Sequence, residues 1–281
     1  MKKLSVYLST LLLSASLSAA NFGVIAGVHN FIVSDIQNDV PTDGISAGNS
    51  HTLGLHVGGF VNHTTPSNIN LFAKIEVLFD NDKDNLDPDH IPIWFDSLVD
   101  IDGPVYSINK YNDIRWHLVM DNKQNTVSCI EREMRQHVGV GYQYTNKGLT
   151  FELNTYLGFY YIEIDDDTPL NRGYTRQDTD DGEASHVFEL EVEYTFNREW
   201  SLYAKAKTYI PNVGDERLED NFETRLTYIN SWFGEGTTMN FKVKHVKYNF
   251  DRFYKDPPGV SILPFDNETL IQAYCTIPIE F

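Results

Sequence analysis

The sequence contains few cysteines, few positive charges and no long apolar run after its N-terminus. Each of these absences argues against a class of protein. Only two cysteines occur among 281 residues, which excludes a disulfide-rich secreted scaffold. Positive charge is scarce: 22 Lys and Arg face 40 Asp and Glu, and the net charge of −18 argues against a nucleic-acid-binding protein. No apolar run of about 18 residues follows the N-terminus, so a bundle of transmembrane helices is excluded. Aromatic residues, by contrast, make up 13% of the chain, which argues against disorder.

The N-terminus has the composition of a secretory signal peptide. Lys2 and Lys3 precede a short apolar stretch diluted with serines, and the small residues Ser18-Ala19-Ala20 follow it. The apolar stretch is too short to span a bilayer. We therefore expect residues 1–20 to be removed on export and residues 21–281 to form one acidic domain.

Apolar residues recur at every second position, which is typical of β-strands. Between Ile69 and Phe79 the odd-numbered residues are apolar, whereas Lys74 and Glu76 lie between them. The same alternation recurs along the rest of the chain. The predicted strands are about ten to fifteen residues long, whereas strands of soluble sheets usually have roughly 5–6 residues. The pattern predicts an all-β protein that crosses a membrane as a closed antiparallel barrel.

The connections support this interpretation, because very short ones alternate with long, acidic ones. An even number of strands places both ends of a barrel on the same side of the membrane. Counting back from the C-terminus gives twelve predicted strands, at residues 22–34, 51–61, 69–80, 91–101, 105–120, 131–145, 149–164, 186–196, 199–210, 221–232, 238–250 and 267–281. Aromatic residues near the predicted strand ends indicate an interfacial girdle. They are Tyr142, Tyr144, Phe159, Tyr160, Tyr161, Tyr194, Phe196, Trp200 and Phe281.

The segment 91–112 fits the barrel pattern less well than the rest. A turn at Asp102-Gly103-Pro104 would place Lys110 and Asn112 on the lipid-facing side, at a cost of about 2 kcal/mol for a lysine near mid-depth. If this segment were an outer loop, the barrel would have ten strands. Twelve strands remain our prediction, with ten as the alternative.

These features resemble those of Gram-negative outer-membrane β-barrel proteins. The alternating C-terminal residues Ile277, Ile279 and Phe281 look like the signature that this family presents to its barrel-assembly machinery. The resemblance implies a location in the outer membrane, contact with lipid and lipopolysaccharide, and a monomer. In size the chain is similar to a solitary autotransporter-like barrel and to twelve-stranded channels for small solutes.

Charged residues on the predicted inner face form a ladder. If residues 197–199 close a three-residue hairpin, Glu191 faces Lys205 and Glu189 faces Lys207. One interpretation is a charged eyelet that selects solutes. The other is a set of ion pairs that fills a narrow barrel, and the alternating signs fit it somewhat better. The ladder comprises Glu189, Glu191, Lys205, Lys207, Glu223, Arg225, Lys242 and Lys244.

Two further patterns bear on metal binding and disulfide formation, and each is weak. Asp80, Asp82 and Asp84 alternate like the start of a calcium loop, although the acid expected at its twelfth position is absent. A solvated acidic loop is the simpler interpretation. Neither Cys129 nor Cys275 has a spacing that indicates a disulfide or a metal site.

Catalytic patterns are equally sparse. No serine lies in a nucleophile turn, and Ser185 beside His186 is the only nearby pairing. We therefore expect no catalytic residues, no cofactor beyond possible Ca²⁺ at the outer loops, and no nucleic-acid partner. Two functions remain open. The first is a passive, porin-like channel for small hydrophilic solutes; the second is a non-conducting barrel that acts through its acidic outer loops.

Overall fold

The computed structural model describes residues 20–36, 48–81, 93–125, 130–164, 180–211, 218–249 and 267–279. No helix long and apolar enough to cross a membrane occurs among them. The regular elements in these described ranges are twelve β-strands. They are β1 Asn21–Ile36, β2 Gly48–Thr64, β3 Asn70–Asn81, β4 Ile93–Asn109, β5 Asn112–Asn125, β6 Ile130–Asn146, β7 Leu149–Ile164, β8 Asp180–Thr195, β9 Trp200–Pro211, β10 Glu219–Asn230, β11 Thr237–Tyr248 and β12 Asn267–Ile279.

The strands close into one antiparallel barrel. Each strand pairs with its neighbours in sequence, and β1 pairs with both β2 and β12. The closing pair keeps one register from Phe22 opposite Ile279 to Ser34 opposite Asn267. Because a closed sheet leaves no edge unpaired, its backbone polar groups are satisfied even in lipid. The prediction of twelve strands is confirmed, and the alternative of ten is wrong.

Successive residues of each strand face alternately outward and inward, as the sequence pattern predicts. Outward side chains are apolar and exposed, with exposed fractions of 56% for Ile75, 57% for Leu157 and 50% for Phe188. Inward side chains on the same strands are polar and buried, as Glu76 and Glu189 illustrate. This arrangement is the reverse of a soluble protein's and fits an apolar environment around the barrel.

The short connections all lie at the end of the barrel where β1 begins and β12 ends, which we call the turn end. In the β6–β7 hairpin, Lys147 and Gly148 have φ angles of 48° and 85°, as a two-residue type I′ turn requires. In the β8–β9 hairpin, the Asn197 side chain accepts hydrogen bonds from the backbone N–H groups of Glu199 and Trp200. This contact closes the predicted three-residue loop.

Exposed aromatic side chains surround the turn end, consistent with an interfacial girdle. They are Tyr106, Tyr111, Tyr194, Phe196, Trp200, Trp232 and Phe233. The prediction that Tyr160 belongs to the girdle is wrong, because its ring faces inward and is 1% exposed. On β12, Ile277 and Ile279 lie on the outward side. Their role as a signature for the assembly machinery stays a prediction.

The turn predicted at Asp102-Gly103-Pro104 is also wrong, because β4 continues through it to Asn109. The pairing with β5 shifts register between Pro104 and Tyr106, so an irregularity in the ladder accommodates the proline. Gly103 packs against Trp116: a Cβ at this position would lie 2.7 Å from the indole nitrogen. The glycine therefore serves close packing and not a turn.

The turn itself lies at residues 110 and 111. The Asn109 side chain accepts hydrogen bonds from the Tyr111 backbone N–H at 2.9 Å and from the Asn112 amide at 2.8 Å, which stabilises a tight turn. Lys110 and Asn112 consequently lie at the end of the barrel, not at mid-depth on its lipid-facing side.

Two strands are longer than predicted toward the opposite end, which we call the loop end. β5 continues to Asn125, so Asp121 and Lys123 belong to the barrel and not to an outer loop. β8 likewise begins at Asp180, before the predicted start at residue 186. In both places the sequence looks like a solvated loop because it is rich in charged residues. These residues belong instead to a strand whose inner face is polar. Residues 1–19, Asp82, Asp84, Cys129 and Phe281 lie outside the described residues.

Candidate functional site: the barrel lumen

The lumen is divided into two regions with different contents. Toward the loop end, inward side chains pack against one another in a buried cluster, which we call the packed half. Toward the turn end, a cavity of about 620 Å³ remains, which we call the chamber. The two regions meet near the middle of the strands, where Val119 belongs to both.

The packed half has the composition of a soluble protein's core. Phe31 and Trp94, for example, meet edge to face with ring centroids 4.1 Å apart. Side chains rather than water therefore fill this part of the lumen. The cluster comprises Phe31, Val33, Leu78, Trp94, Val119, Ile130, Tyr156, Tyr160, Ile162, Ile164, Val187, Tyr209, Leu218, Val246, Tyr248 and Leu270.

A buried charge cluster crosses the packed half. The Arg135 guanidinium on β6 lies 2.9 Å from the Glu133 carboxylate and 2.6 Å from that of Glu219 on β10. The Tyr160 hydroxyl donates to Glu219 and the Tyr248 hydroxyl to Glu133, both at 2.6 Å. Since β6 and β10 are not neighbours, this contact spans the lumen. We call Glu133, Arg135 and Glu219 the Arg135 bridge.

Further polar contacts in the packed half also join separate strands. The Lys123 ammonium on β5 lies 2.5 Å from the Glu268 carboxylate on β12. Asp80 contacts His29 and accepts a hydrogen bond from the Trp94 indole at 2.9 Å. The Asp80 carboxylate thus forms its contacts inside the barrel. That Asp80 binds calcium stays a prediction.

The charges that line the chamber are sorted by wall. Strands β9–β11 contribute cations with one acid, Glu223, whereas β3–β5 contribute acids with one cation, Lys74. Two further acids, Glu191 and Glu193 on β8, line the chamber beside β9. Because β4 and β10 are diametrically opposite in the closed strand order, the two walls face each other. Opposed charges of this kind create a field across the lumen that orients charged or dipolar solutes. The basic wall is Lys205, Lys207, Arg225, Lys242 and Lys244; the acidic wall is Glu76, Asp96, Asp100 and Asp121.

The β8–β9 part of the predicted ladder is ion-paired. The register places Glu191 opposite Lys205 and Glu189 opposite Lys207, which is the predicted pairing. The Lys205 ammonium lies 2.7 Å from Glu191 and 2.8 Å from Glu189, and Lys207 lies 3.2 Å from Glu189. The Tyr156 hydroxyl also donates to Glu189. Here the acids and bases satisfy one another.

The β10–β11 part of the ladder differs. Within the described chain, no carboxylate lies within 4.0 Å of the ammonium groups of Lys242 or Lys244. The Arg225 guanidinium lies over the Tyr203 ring, 4.8 Å from its centroid. These charges line the chamber without a carboxylate in direct contact.

The serine considered for catalysis lies in a different arrangement from the predicted one. Ser185 faces inward and is buried, whereas the neighbouring His186 is exposed on the outer side. The Ser185 hydroxyl contacts Nε2 of His137 at 2.9 Å, and His137 Nδ1 has no hydrogen-bond partner among the described residues. Both side chains are enclosed in the packed half, so this contact serves packing.

Sequence reasoning missed two groups of lumen residues. Glu219 and Glu268 lie at strand starts, and only barrel closure brings them to Arg135 and Lys123. Asp121 of the acidic wall was missed for a second reason, since it was assigned to a loop. The alternation of β5 with Val119 and Lys123 was the available signal.

Comparisons with known proteins give a likeness of fold. No family model matches the sequence, and no curated protein matches it either. The outer membrane channel COG4313 from Pseudomonas putida F1 has a TM-score of 0.51 and 9% identity, with 93% of this chain and 96% of that chain covered. The KdgM porin in complex with disordered oligogalacturonate has a TM-score of 0.45 and 9% identity over 92% of this chain and 99% of that chain. The translocator domain of the autotransporter NalP from Neisseria meningitidis has a TM-score of 0.43 and 10% identity over 99% of this chain and 96% of that chain.

At these identities the comparisons concern the fold alone. The closed twelve-stranded sheet, the apolar outward side chains and the polar interior agree with it. The chain has the fold of a Gram-negative outer-membrane β-barrel protein.

Proposed function

We propose that the protein is a porin-like barrel through which small hydrophilic solutes cross the outer membrane, with the chamber as the part that binds them. The observation that supports the proposal is a cavity of about 620 Å³ lined by opposed walls of charge, part of which has no counter-charge within contact distance. Pockets for small molecules have volumes of roughly 300–1,000 Å³. In outer-membrane barrels the short turns face the periplasm, so the chamber would lie on the periplasmic side.

The packed half would limit passage. The Arg135 bridge and the surrounding aromatic side chains occupy the lumen between the chamber and the loop end. A solute that crosses the barrel must pass them, so we expect the wild-type protein to conduct in small and infrequent steps.

Single-channel recording in planar bilayers tests the proposal. The wild-type protein is compared with a variant in which Glu133, Arg135 and Glu219 are all alanine. This variant removes the bridge without leaving a charge unpaired, so it avoids the main cause of unfolding. Heat-shifted migration on unboiled gels verifies that both barrels are folded. Discrete, salt-dependent steps that grow in the triple variant are the expected result.

The packed half also favours a second candidate function, because it fills the lumen with side chains. A barrel filled with side chains is also suited to a non-conducting role, in which it presents acidic outer loops to a partner, to lipopolysaccharide or to Ca²⁺. Silence from folded protein in both the wild-type and the triple-alanine form would contradict passage and leave this second function. Its own test is the loss of surface binding when residues 166–178 are deleted, since residues from Asp180 onward belong to β8.

A further inference from the structure

Two neighbouring cations lie side by side on the chamber wall. The register places Arg225 on β10 directly opposite Lys242 on β11. The next positions in this row are Tyr203 on β9 and Gln272 on β12, so no acid lies beside the two cations within the row. The nearest acid on the same face of the sheet is Glu223, in the adjacent row. Like charges that are directly opposite each other destabilise a strand pair.

The adjacent row on the same wall shows that the fold can avoid this repulsion. There Glu223 lies between Lys205 on β9 and Lys244 on β11, so the signs alternate. Both rows face the same chamber and consist of the same kinds of side chain. The row of Arg225 and Lys242, which we call the uncompensated row, therefore differs from its neighbour because it contains no acid. This lack of an acid is not a general feature of the wall.

The polar groups of the uncompensated row have unused hydrogen-bonding capacity. Lys242 is 6% exposed, yet no described residue accepts a hydrogen bond from its ammonium group or places a carboxylate within 4.0 Å of it. The Nε atom of Arg225 is buried and lacks a hydrogen-bond partner among the described residues. The acid on the opposite wall, Glu76, is held at 2.5 Å by Lys74. The Arg225 guanidinium also donates a hydrogen bond to Tyr274. The two cations therefore line the chamber without a carboxylate in direct contact.

We propose that Arg225 and Lys242 form an oxyanion subsite, which binds the carboxylate or phosphate group of a small solute in the chamber. A guanidinium presents parallel donors to two oxygens of such a group, and the neighbouring ammonium adds a point charge. A bound anion offsets the repulsion between the two cations. The subsite deepens the proposed function, because it names the class of solute that the chamber receives.

Isothermal titration calorimetry on the refolded full chain in detergent tests the subsite. Succinate and inorganic phosphate are the two probes, and they distinguish carboxylate-bearing from phosphate-bearing solutes. The wild-type protein is expected to bind at least one of them saturably. Lys242→Gln and Arg225→Gln are each expected to weaken this binding by about tenfold or more, because each removes a charged hydrogen-bond donor.

Two control variants separate the subsite from overall charge. Lys242→Arg keeps the charge and is expected to bind within about threefold of wild type. Lys110→Gln removes the same charge from the exposed turn at the end of the barrel and is expected to have no effect. Equal binding by all variants, or no saturable binding of either probe by folded wild-type protein, would overturn the subsite. A barrel that conducts but binds neither probe would refute the subsite alone, whereas one that binds but never conducts would refute passage alone.

Discussion

The two halves of the lumen use the same types of charged residue but compensate them differently. In the packed half, Arg135 is 2% exposed and contacts two carboxylates. In the chamber, Lys242 is almost as deeply buried, at 6% exposed, and contacts none in the described chain. A buried charge without a counter-charge reduces stability. The comparison therefore separates charges that hold the barrel together from charges that it maintains at a cost.

Removing Arg135 should have the largest effect. Arg135→Ala leaves Glu133 and Glu219 buried, adjacent and uncompensated, and we expect the free energy of unfolding to fall by about 3–5 kcal/mol. Urea unfolding in detergent micelles, followed by tryptophan fluorescence, measures it. The control on the same strand is Arg132→Ala, because Arg132 pairs with Glu163 in an exposed contact. Exposed ion pairs contribute about 0–1 kcal/mol, so similar losses in the two variants would contradict this account of the packed half.

Two tyrosines provide the next comparison. Tyr160→Phe removes a buried hydroxyl that donates to the Glu219 carboxylate at 2.6 Å, and we expect a loss of about 1.5–3 kcal/mol. Tyr203→Phe in the chamber keeps the ring under Arg225, and no hydrogen bond of the Tyr203 hydroxyl is found in the described chain. We expect this variant to change stability by less than about 0.5 kcal/mol. The same urea unfolding experiment measures both variants. A larger loss of stability for Tyr203→Phe than for Tyr160→Phe would contradict the distinction between the two halves.

The smallest effects are expected for two lysines of the chamber. Their replacement should change the free energy of unfolding in opposite directions. Lys205→Gln leaves Glu189 and Glu191 with less compensation, and we expect a loss of about 1 kcal/mol because Lys205 is partly exposed. Lys242→Gln relieves the repulsion from Arg225, and we expect no loss or a gain of a few tenths of a kcal/mol. Parallel urea titrations measure both. A clear loss for Lys242→Gln would show that its attraction to Glu223 and Glu76, beyond contact distance, outweighs the repulsion from Arg225.

Much of the fold could be predicted from the sequence, because two local rules decide most of it. Period-two alternation assigns each side chain to a face, so Ile75 and Glu76 are placed correctly without any knowledge of their neighbours. Hairpin geometry then fixes the register of adjacent strands, as the pairing of Glu191 with Lys205 confirms. The turn at residues 110 and 111 escaped prediction because Gly103 and Pro104 mimic a turn while they lie within β4.

The contents of the lumen were less predictable, because they depend on contacts between strands that are distant in sequence. Arg135 meets Glu219, and Lys123 meets Glu268, only when the sheet curves and closes. The sequence pattern alone allowed both interpretations of the ladder. The ion-pair interpretation describes Lys205, which contacts Glu191. The eyelet interpretation stays a proposal for Lys242, which has no carboxylate within contact distance in the described chain.

The seam between β1 and β12 also constrains how this protein can fold. It joins the first strand to the last, so the contacts between Phe22 and Ile279 span nearly the entire barrel sequence. Contacts of such long range are slow to form, because a large loop must be closed first. Until the seam forms, β1 and β12 both expose unpaired backbone, which makes a partly folded chain prone to aggregation. An assembly factor that covers these two edges would therefore act at the step where an unaided chain is most at risk.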